Sequence, residues 1–261
     1  MTRRERPHGL PLLLAFDFDG TLVPDGRPEL PADLPPVLRR LSAQGVKLAA
    51  ITGRDVLPPG IEDQIPFDGM ATQNGGHVEV GGEVCQALYF TDEELEAVLA
   101  HSLEGVRLMM FSGGQMYVDL PEGEVPTTQQ LARNPRPTAE IPRGRVQKVN
   151  FFHEGVAGHA AQLRSHQAGF TVTGTQPPYI HMMTVTPAGA HKGAAIELLA
   201  RELGVPLSRT IAFGDSDNDI AMFEVAGYAV QSGDLPLLDA HADESISGPE
   251  ALAAWLEALK V

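Results

Sequence analysis

The stretch "LLLAFDFDGTL", residues 12–22, decides the fold. Five apolar residues, Leu12 to Phe16, run without alternation into two carboxylates, Asp17 and Asp19, separated by one phenylalanine. An unalternating apolar run suits a strand covered on both faces, as in a parallel sheet flanked by helices. Residues i and i+2 of a strand face the same side, so Asp17 and Asp19 are expected to point together where the strand leaves the sheet. In open α/β sheets the ligand site lies beyond the carboxyl ends of the strands.

Working outward, "PADLPPVLRRLSAQG" (31–45) predicts a helix stopped by a glycine, and "VKLAAI" (46–51) a second buried strand. Strand, helix, strand is the unit of a parallel α/β sheet. The same grammar returns near the other end. "HKGAAIELLARELGV" (191–205) sets Ala195, Ile196, Leu199 and Leu203 at helical spacing, and "RTIAFGDSDND" (209–219) is a strand running into a polar turn. "IAMFEVAG" predicts a short helix, "YAVQ" a strand, and "GPEALAAWLEALK" a last helix with glycine at its N-cap.

The middle follows another pattern. "GHVEVGGEVCQALYF" alternates around Gly81-Gly82, and "VRLMMFSGGQMYVDL" around Gly113-Gly114; both are hairpin signals. "TDEELEAVLAHSL" is a helix with a threonine N-cap and early acids. "GRVQKVNFF", "VAGHAAQLRSHQAG", "FTVTG" and "YIHMMTV" give strand, helix, strand, strand. "TTQQLARNPRPTAEIPRG" gives a helix and a proline-rich loop. Hairpins mixed with helices predict an α+β module at residues 80–186, inserted into an α/β core made of residues 1–79 and 187–261.

Asp and Glu total 34 against 19 Lys and Arg, a net charge of −15, which disfavours nucleic acid and anionic membranes as partners. An anion site on such a chain must be made locally positive by a metal, a lysine or helix ends. "MTRRERPHGLPLLLAF" imitates a signal peptide, yet its short apolar run passes straight into "DFDG", so it is read as a tail and a first strand. No stretch is long and apolar enough to span a membrane. Cys85 is the only cysteine, which fits a reducing cytoplasm.

Polar groups gather at the predicted strand ends. Thr52 and Arg54 follow the second strand; Asp215, Asn218 and Asp219 follow "TIAF"; His191 and Lys192 open the preceding helix. Adjacent carboxylates repel unless a cation sits between them. Asp17, Asp19 and Asp215 supply hard oxygen ligands suited to Mg²⁺, which favours a phosphoryl group as the reacting partner. An aspartate can act as nucleophile toward phosphorus, with the Thr52 hydroxyl and Lys192 ammonium as donors to its oxygens, and Asp19 as acid and then base.

In order, "DFDGTL", "ITGR", "HKGAA" and "GDSDND" resemble the four motifs of the haloacid dehalogenase-like (HAD) superfamily. The insert opened by "QNGG" resembles the α/β cap of its Cof-type sugar-phosphatase branch, which is related to trehalose-, sucrose- and mannosylglycerate-phosphate phosphatases and to phosphomannomutase. This resemblance implies a Rossmann-like parallel sheet core, a cap that closes over the site, and a phosphoric monoester hydrolase working through an aspartyl-phosphate. It implies Asp17 as nucleophile, Asp19 as general acid/base, and Mg²⁺ held by the Asp17 carboxylate, the Asp19 main-chain carbonyl and Asp215. Thr52 and Lys192 would bind the phosphoryl group, Asn218 would help hold the shell, and Asp219 would orient Lys192 or a metal-bound water. A small phosphorylated metabolite, a sugar phosphate by analogy, is the implied substrate. Two other outcomes stay open: a phosphosugar mutase using the same aspartates, and a phosphate-ligand sensor without turnover.

Residues near these motifs carry plainer alternatives. Arg54 fits a structural ion pair as well as a substrate contact. The "QNGG" turn fits a hinge, while its backbone or that of Gly53, and Asn74, fit contacts to substrate. Asp217 and Lys148 are read as surface residues, and Met109, Met110, Met182 and Met183 as cap core. His181 and His191 are read as packing or surface residues and Cys85 as inert.

Overall fold

The computed structural model describes residues 4–27, 29–100, 103–166, 169–176 and 179–260. The sequence-based expectations for residues 1–3, 101–102 and 167–168 fall outside these. The chain forms two compact units, residues 1–86 with 191–261, and residues 87–190.

The elements of the first unit before the insert are β1 (Leu13–Phe16), α1 (Leu34–Ala43), β2 (Lys47–Ile51), β3 (Gly69–Thr72), β4 (His77–Val80) and β5 (Glu83–Ala87). The insert holds α2 (Asp92–Leu99), β6 (Arg107–Ser112), β7 (Gln115–Asp119), α3 (Thr128–Ala132), β8 (Lys148–Phe152), α4 (Val156–His166), β9 (Thr171–Gly174) and β10 (Met182–Thr186). The first unit resumes with α5 (Lys192–Glu202), β11 (Thr210–Gly214), α6 (Ile220–Val225), β12 (Tyr228–Ser232), β13 (Glu244–Ile246) and α7 (Pro249–Glu257).

The first unit is built on an eight-stranded sheet in the order β13-β12-β11-β1-β2-β3-β4-β5. It is parallel from β13 through β3, and β4 turns antiparallel onto β3. The apolar run that opens the sequence is the centre of this sheet and is buried on both faces. Leu12, Leu14 and Phe16 face one layer, with Leu34, Val37, Leu38 and Leu41 of α1 and Leu252, Trp255 and Leu256 of α7. Leu13 and Ala15 face the other, with Ala195, Ile196 and Leu199 of α5 and Met222 and Phe223 of α6. Phe16 stacks on Phe213 at 4.7 Å, and Phe213 meets the edge of Trp255 at 5.1 Å. Each such side chain, fully buried, contributes roughly 1.5–3 kcal/mol.

The β4–β5 hairpin around Gly81-Gly82 extends the core sheet instead of opening the inserted module. The unit boundaries therefore fall at 86/87 and 190/191, several residues beyond the expected 79/80 and 186/187.

The second unit is a five-stranded sheet in the order β7-β6-β8-β10-β9, with antiparallel neighbours throughout. Val98 of α2 and Val156, Ala160 and Leu163 of α4 cover one face, packing on Met110, Val149, Phe151, Met183 and Val185. Strand alternation splits the methionines: Met110 and Met183 enter this core, while Met109 and Met182 are half-buried. Lys148, expected at the surface, is buried with its ammonium 4.1 Å from the Phe111 ring centroid. Among the described residues no helix is long and apolar enough to cross a membrane.

Candidate active site

The chain leaves β1 toward β2 and β3 on one side and returns to β11, β12 and β13 on the other. That reversal opens a crevice at the carboxyl end of the central strands. Asp17 follows β1 there, Thr52 follows β2, and Asp215 follows β11. Asp17 continues the parity of Leu13 and Ala15, toward the layer of α5, whose first residue is Lys192.

Lys192 is fully buried and bridges two carboxylates, with Nζ 2.7 Å from Asp17 Oδ1 and 2.6 Å from Asp219 Oδ1. The other Asp219 oxygen, Oδ2, accepts from the backbone N–H of Asp215 at 2.8 Å and of Ser216 at 2.9 Å. Asp219 is thus committed on both sides, to the lysine and to the turn after β11. Glycine at 214 makes this possible, since a Cβ there would lie 2.3 Å from the Asp219 carboxyl carbon.

Ligand atoms of Asp17, Asp215 and Asp219 lie within 4.8 Å of one another. Burial, opposed by the charge of Lys192 and reinforced by Asp219, pushes the Asp17 carboxyl up to about 7. Burial, and then the charges of Asp17 and Asp219, push Asp215 up to about 10. Burial alone would lower Lys192, but the charges of Asp17 and Asp219 outweigh it and hold the ammonium above the ordinary lysine range. Crowded carboxylates with raised affinities for protons fit a hard divalent cation such as Mg²⁺, which relieves the same repulsion. Thr21 Oγ1 donates to Asp215 Oδ1 at 3.2 Å. Gly20 lies against the same carboxylate, where a Cβ would come within 2.4 Å of Oδ2.

The Asp19 side chain is outside that trio. β1 ends at Phe16, so strand alternation does not carry as far as Asp19, and Gly20 turns the chain at φ +74°. The Arg54 guanidinium grips the Asp19 carboxylate with both arms, Nε to Oδ2 at 2.7 Å and Nη2 to Oδ1 at 2.6 Å. Arg54 also lies 5.2 Å from the Phe18 ring centroid.

Thr52 is buried, and its hydroxyl oxygen accepts the Arg54 N–H at 3.1 Å, which leaves the hydroxyl hydrogen for another acceptor. Gly53 packs against Asn74, with a Cβ at 53 reaching 3.0 Å from Asn74 Oδ1. Asn218 Nδ2 donates to that same Oδ1 at 3.3 Å. His191 is the N-cap of α5, its Nδ1 accepting from Ala194 N–H at 3.1 Å. Asp217 is half-buried, not fully exposed.

Two supporting residues were not singled out from the sequence, Ser216 inside the "GDSDND" motif and Ser232 outside every motif. Ser216 Oγ donates to Asn218 Oδ1 at 3.0 Å. Ser232, at the end of β12, donates to the Gly20 carbonyl at 2.7 Å. Only the strand order brings Ser232 to the turn after β1.

A family model of haloacid dehalogenase-like hydrolases matches residues 14–243. The HMP-PP phosphatase of Serratia proteamaculans is 32% identical over 241 residues, which is 87% of this chain and 85% of that protein. The phosphoglycolate phosphatase of Methanoculleus marisnigri is 26% identical over 259 residues, covering 95% of this chain and 94% of that one. Among solved structures, the HAD subclass IIB sugar phosphatase BT4131 superposes with a TM-score of 0.77 at 23% identity, covering 95% of this chain and 98% of that one.

Proposed function

Because the chain belongs to the haloacid dehalogenase-like hydrolase family, as a phosphatase of small phosphorylated metabolites, we propose that it is a Mg²⁺-dependent phosphomonoesterase working through an aspartyl-phosphate at Asp17. The observation that carries this is the Lys192 ammonium held 2.7 Å from an Asp17 carboxylate that has two further aspartates within ligand distance.

A carboxylate oxygen of Asp17 attacks phosphorus, and the ester oxygen leaves with a proton from Asp19. Asp19 then takes a proton from water, which attacks the aspartyl-phosphate and releases inorganic phosphate and the Asp17 carboxylate. Lys192 fixes the Asp17 rotamer and offers positive charge to the phosphoryl oxygens; the Thr52 hydroxyl donates to them. Arg54 holds the Asp19 side chain in one orientation. Asp219 serves as the partner of Lys192, and Asn218 braces the turn. Mg²⁺ would be held by the Asp17 carboxylate, the Asp19 main-chain carbonyl and Asp215, where it neutralises charge on the phosphoryl group.

The substrate is a phosphate ester of a small hydroxylated metabolite, a sugar phosphate, met in the cytoplasm. The two related phosphatases are named for different small phosphorylated metabolites, so the organic group is the variable part. The test is phosphate release from a panel of sugar phosphates and other phosphomonoesters, with Mg²⁺ or EDTA, by the wild type and by Asp17→Asn. Turnover that needs Mg²⁺ and vanishes in the variant is expected. Isomerised sugar phosphate without free phosphate, or an active Asp17→Asn protein, overturns the assignment.

A further inference from the structure

The turn between β3 and β4 is strained and buried. Gln73, Asn74 and Gly75 in succession have φ of 54°, 57° and 95°. That region is open to glycine but costly for other residues, and such outliers persist only where the surroundings demand them. Gln73 and Asn74 are nonetheless buried, and Gln73 Oε1 has no hydrogen-bond partner among the described residues. A change from parallel β3 to antiparallel β4 needs a turn, but not one made of these residues.

Their contacts give the reason. The N–H of Gln73 donates to the Arg54 carbonyl at 2.8 Å and that of Asn74 to the Thr52 carbonyl at 2.9 Å, so the two bonds bracket Gly53. The Asn74 side chain accepts from Asn218 at 3.3 Å, and Asn218 in turn accepts from Ser216. At Gly75 a Cβ would lie 2.8 Å from the His191 carbonyl and 2.9 Å from Ala195 Cβ, so the turn is pressed against the first turn of α5. One three-residue segment therefore touches the loop of Thr52, the loop of Asp215 to Asp219, and the helix start that carries Lys192.

We infer that Asn74 is a positioning residue of the phosphoryl site: its left-handed backbone holds the Thr52–Arg54 loop, and its side-chain oxygen ties that loop to Asn218. This rests on the function proposed above. It stands beside the expectation of a substrate contact at Asn74, whose side-chain oxygen accepts from Asn218; the turn itself leads into β4 of the core sheet, not directly into the inserted unit.

The test uses Asn74→Gly, which keeps the left-handed backbone and deletes the side chain, together with Asn218→Ala and the double variant. Two readouts are taken on the full chain with Mg²⁺: kcat and KM for p-nitrophenyl phosphate, and the affinity for inorganic phosphate by calorimetry. Each single variant is expected to lose roughly 10- to 100-fold in kcat, with KM nearly unchanged, and to bind phosphate more weakly. The double variant should be no worse than the poorer single one, because both remove the same link. Wild-type kcat and phosphate affinity in Asn74→Gly, or additive losses in the double variant, overturn the inference while leaving the phosphatase assignment standing. A wild type that binds phosphate without turnover, with binding weakened in Asn74→Gly, overturns the phosphatase assignment and keeps the inference. A wild type that neither binds nor hydrolyses overturns both.

Discussion

Replacing Lys192 with methionine removes the ammonium that lies between Asp17 and Asp219 while keeping a buried chain of similar length. Three carboxylates then remain close together without it. Breaking a buried pair by deleting one partner costs roughly 3–5 kcal/mol. The variant can limit that loss by taking up one proton beyond those the raised Asp17 and Asp215 carboxyls already hold, at about 1.4 kcal/mol for every pH unit above the ordinary carboxylate value near 4. At about pH 5 this route costs roughly 1.4 kcal/mol, and at about pH 8 roughly 5–6, so there the loss reaches the full broken-pair value. At roughly 2–4 °C per kcal/mol, Tm should drop by about 3–6 °C in acid and by about 6–20 °C in mild base. The wild type sets the sign independently. Its Asp17 carboxyl is raised to about 7, so without metal the native state holds a proton that the unfolded state releases. Metal-free stability therefore falls as pH rises from the ordinary carboxylate range through about 7. Thermal melts in EDTA at the two pH values measure both effects. An equal drop at both, or a drop within the scatter of repeat melts, would show that the lysine does not hold these carboxylates in place.

Arg54→Met should keep an apolar chain beside Phe18 but free the Asp19 carboxylate, and kcat should fall roughly 10- to 100-fold; an unchanged kcat separates Asp19 orientation from catalysis. Asp243→Ala should cost about 2 kcal/mol in urea unfolding near neutral pH, since Asp243 accepts from Arg4 and from the Ala229 N–H. Burial raises the Asp243 carboxyl, but these hydrogen bonds and the Arg4 charge bring it below its ordinary value. The stability it contributes is thus present above the ordinary carboxylate range and lost as pH falls through the lower native value; a gap between the proteins that stays constant into strong acid contradicts this. In EDTA the protein should lose measurable affinity for inorganic phosphate as well as turnover, and calorimetry that finds phosphate bound without metal would show that Lys192 and Thr52 suffice.

The central strand was legible because its unbroken apolar run allows few placements other than the middle of a two-faced sheet. Helices α1, α5 and α7 were legible from spacing and from their flanking glycines. What escaped depends on partners distant in sequence. β3 is "GMAT", a poor strand former by composition, and it exists because β2 offers it a parallel edge. β13 is three residues long and is fixed by pairing with β12. The Gly81-Gly82 hairpin was visible as a hairpin, but nothing local says which sheet it joins. Lys148 looked like a surface residue because a lysine over a ring across the sheet leaves no trace in its neighbours along the chain.

The site follows the same division. "DFDG", "HKG" and "GDSDND" show which groups gather, because acids and a lysine at strand ends have few structural uses. How they pair is not written locally. The alternation rule put Asp19 beside Asp17, yet the strand stops at Phe16 and Arg54 takes Asp19 instead. That outcome separates two tasks of the proposed mechanism: Lys192 governs the nucleophile and Arg54 the proton carrier, each through its own pair. It also bears on how an acidic chain holds an anion. Lys192 is already shared between two carboxylates, so its charge alone leaves a surplus of negative groups facing any phosphoryl oxygen. In the metal-free chain, protons on Asp17 and Asp215 offset that surplus, as their raised affinities require. A divalent cation held there would take over from those protons and, carrying two charges, would turn a merely neutralised pocket into one that attracts phosphate.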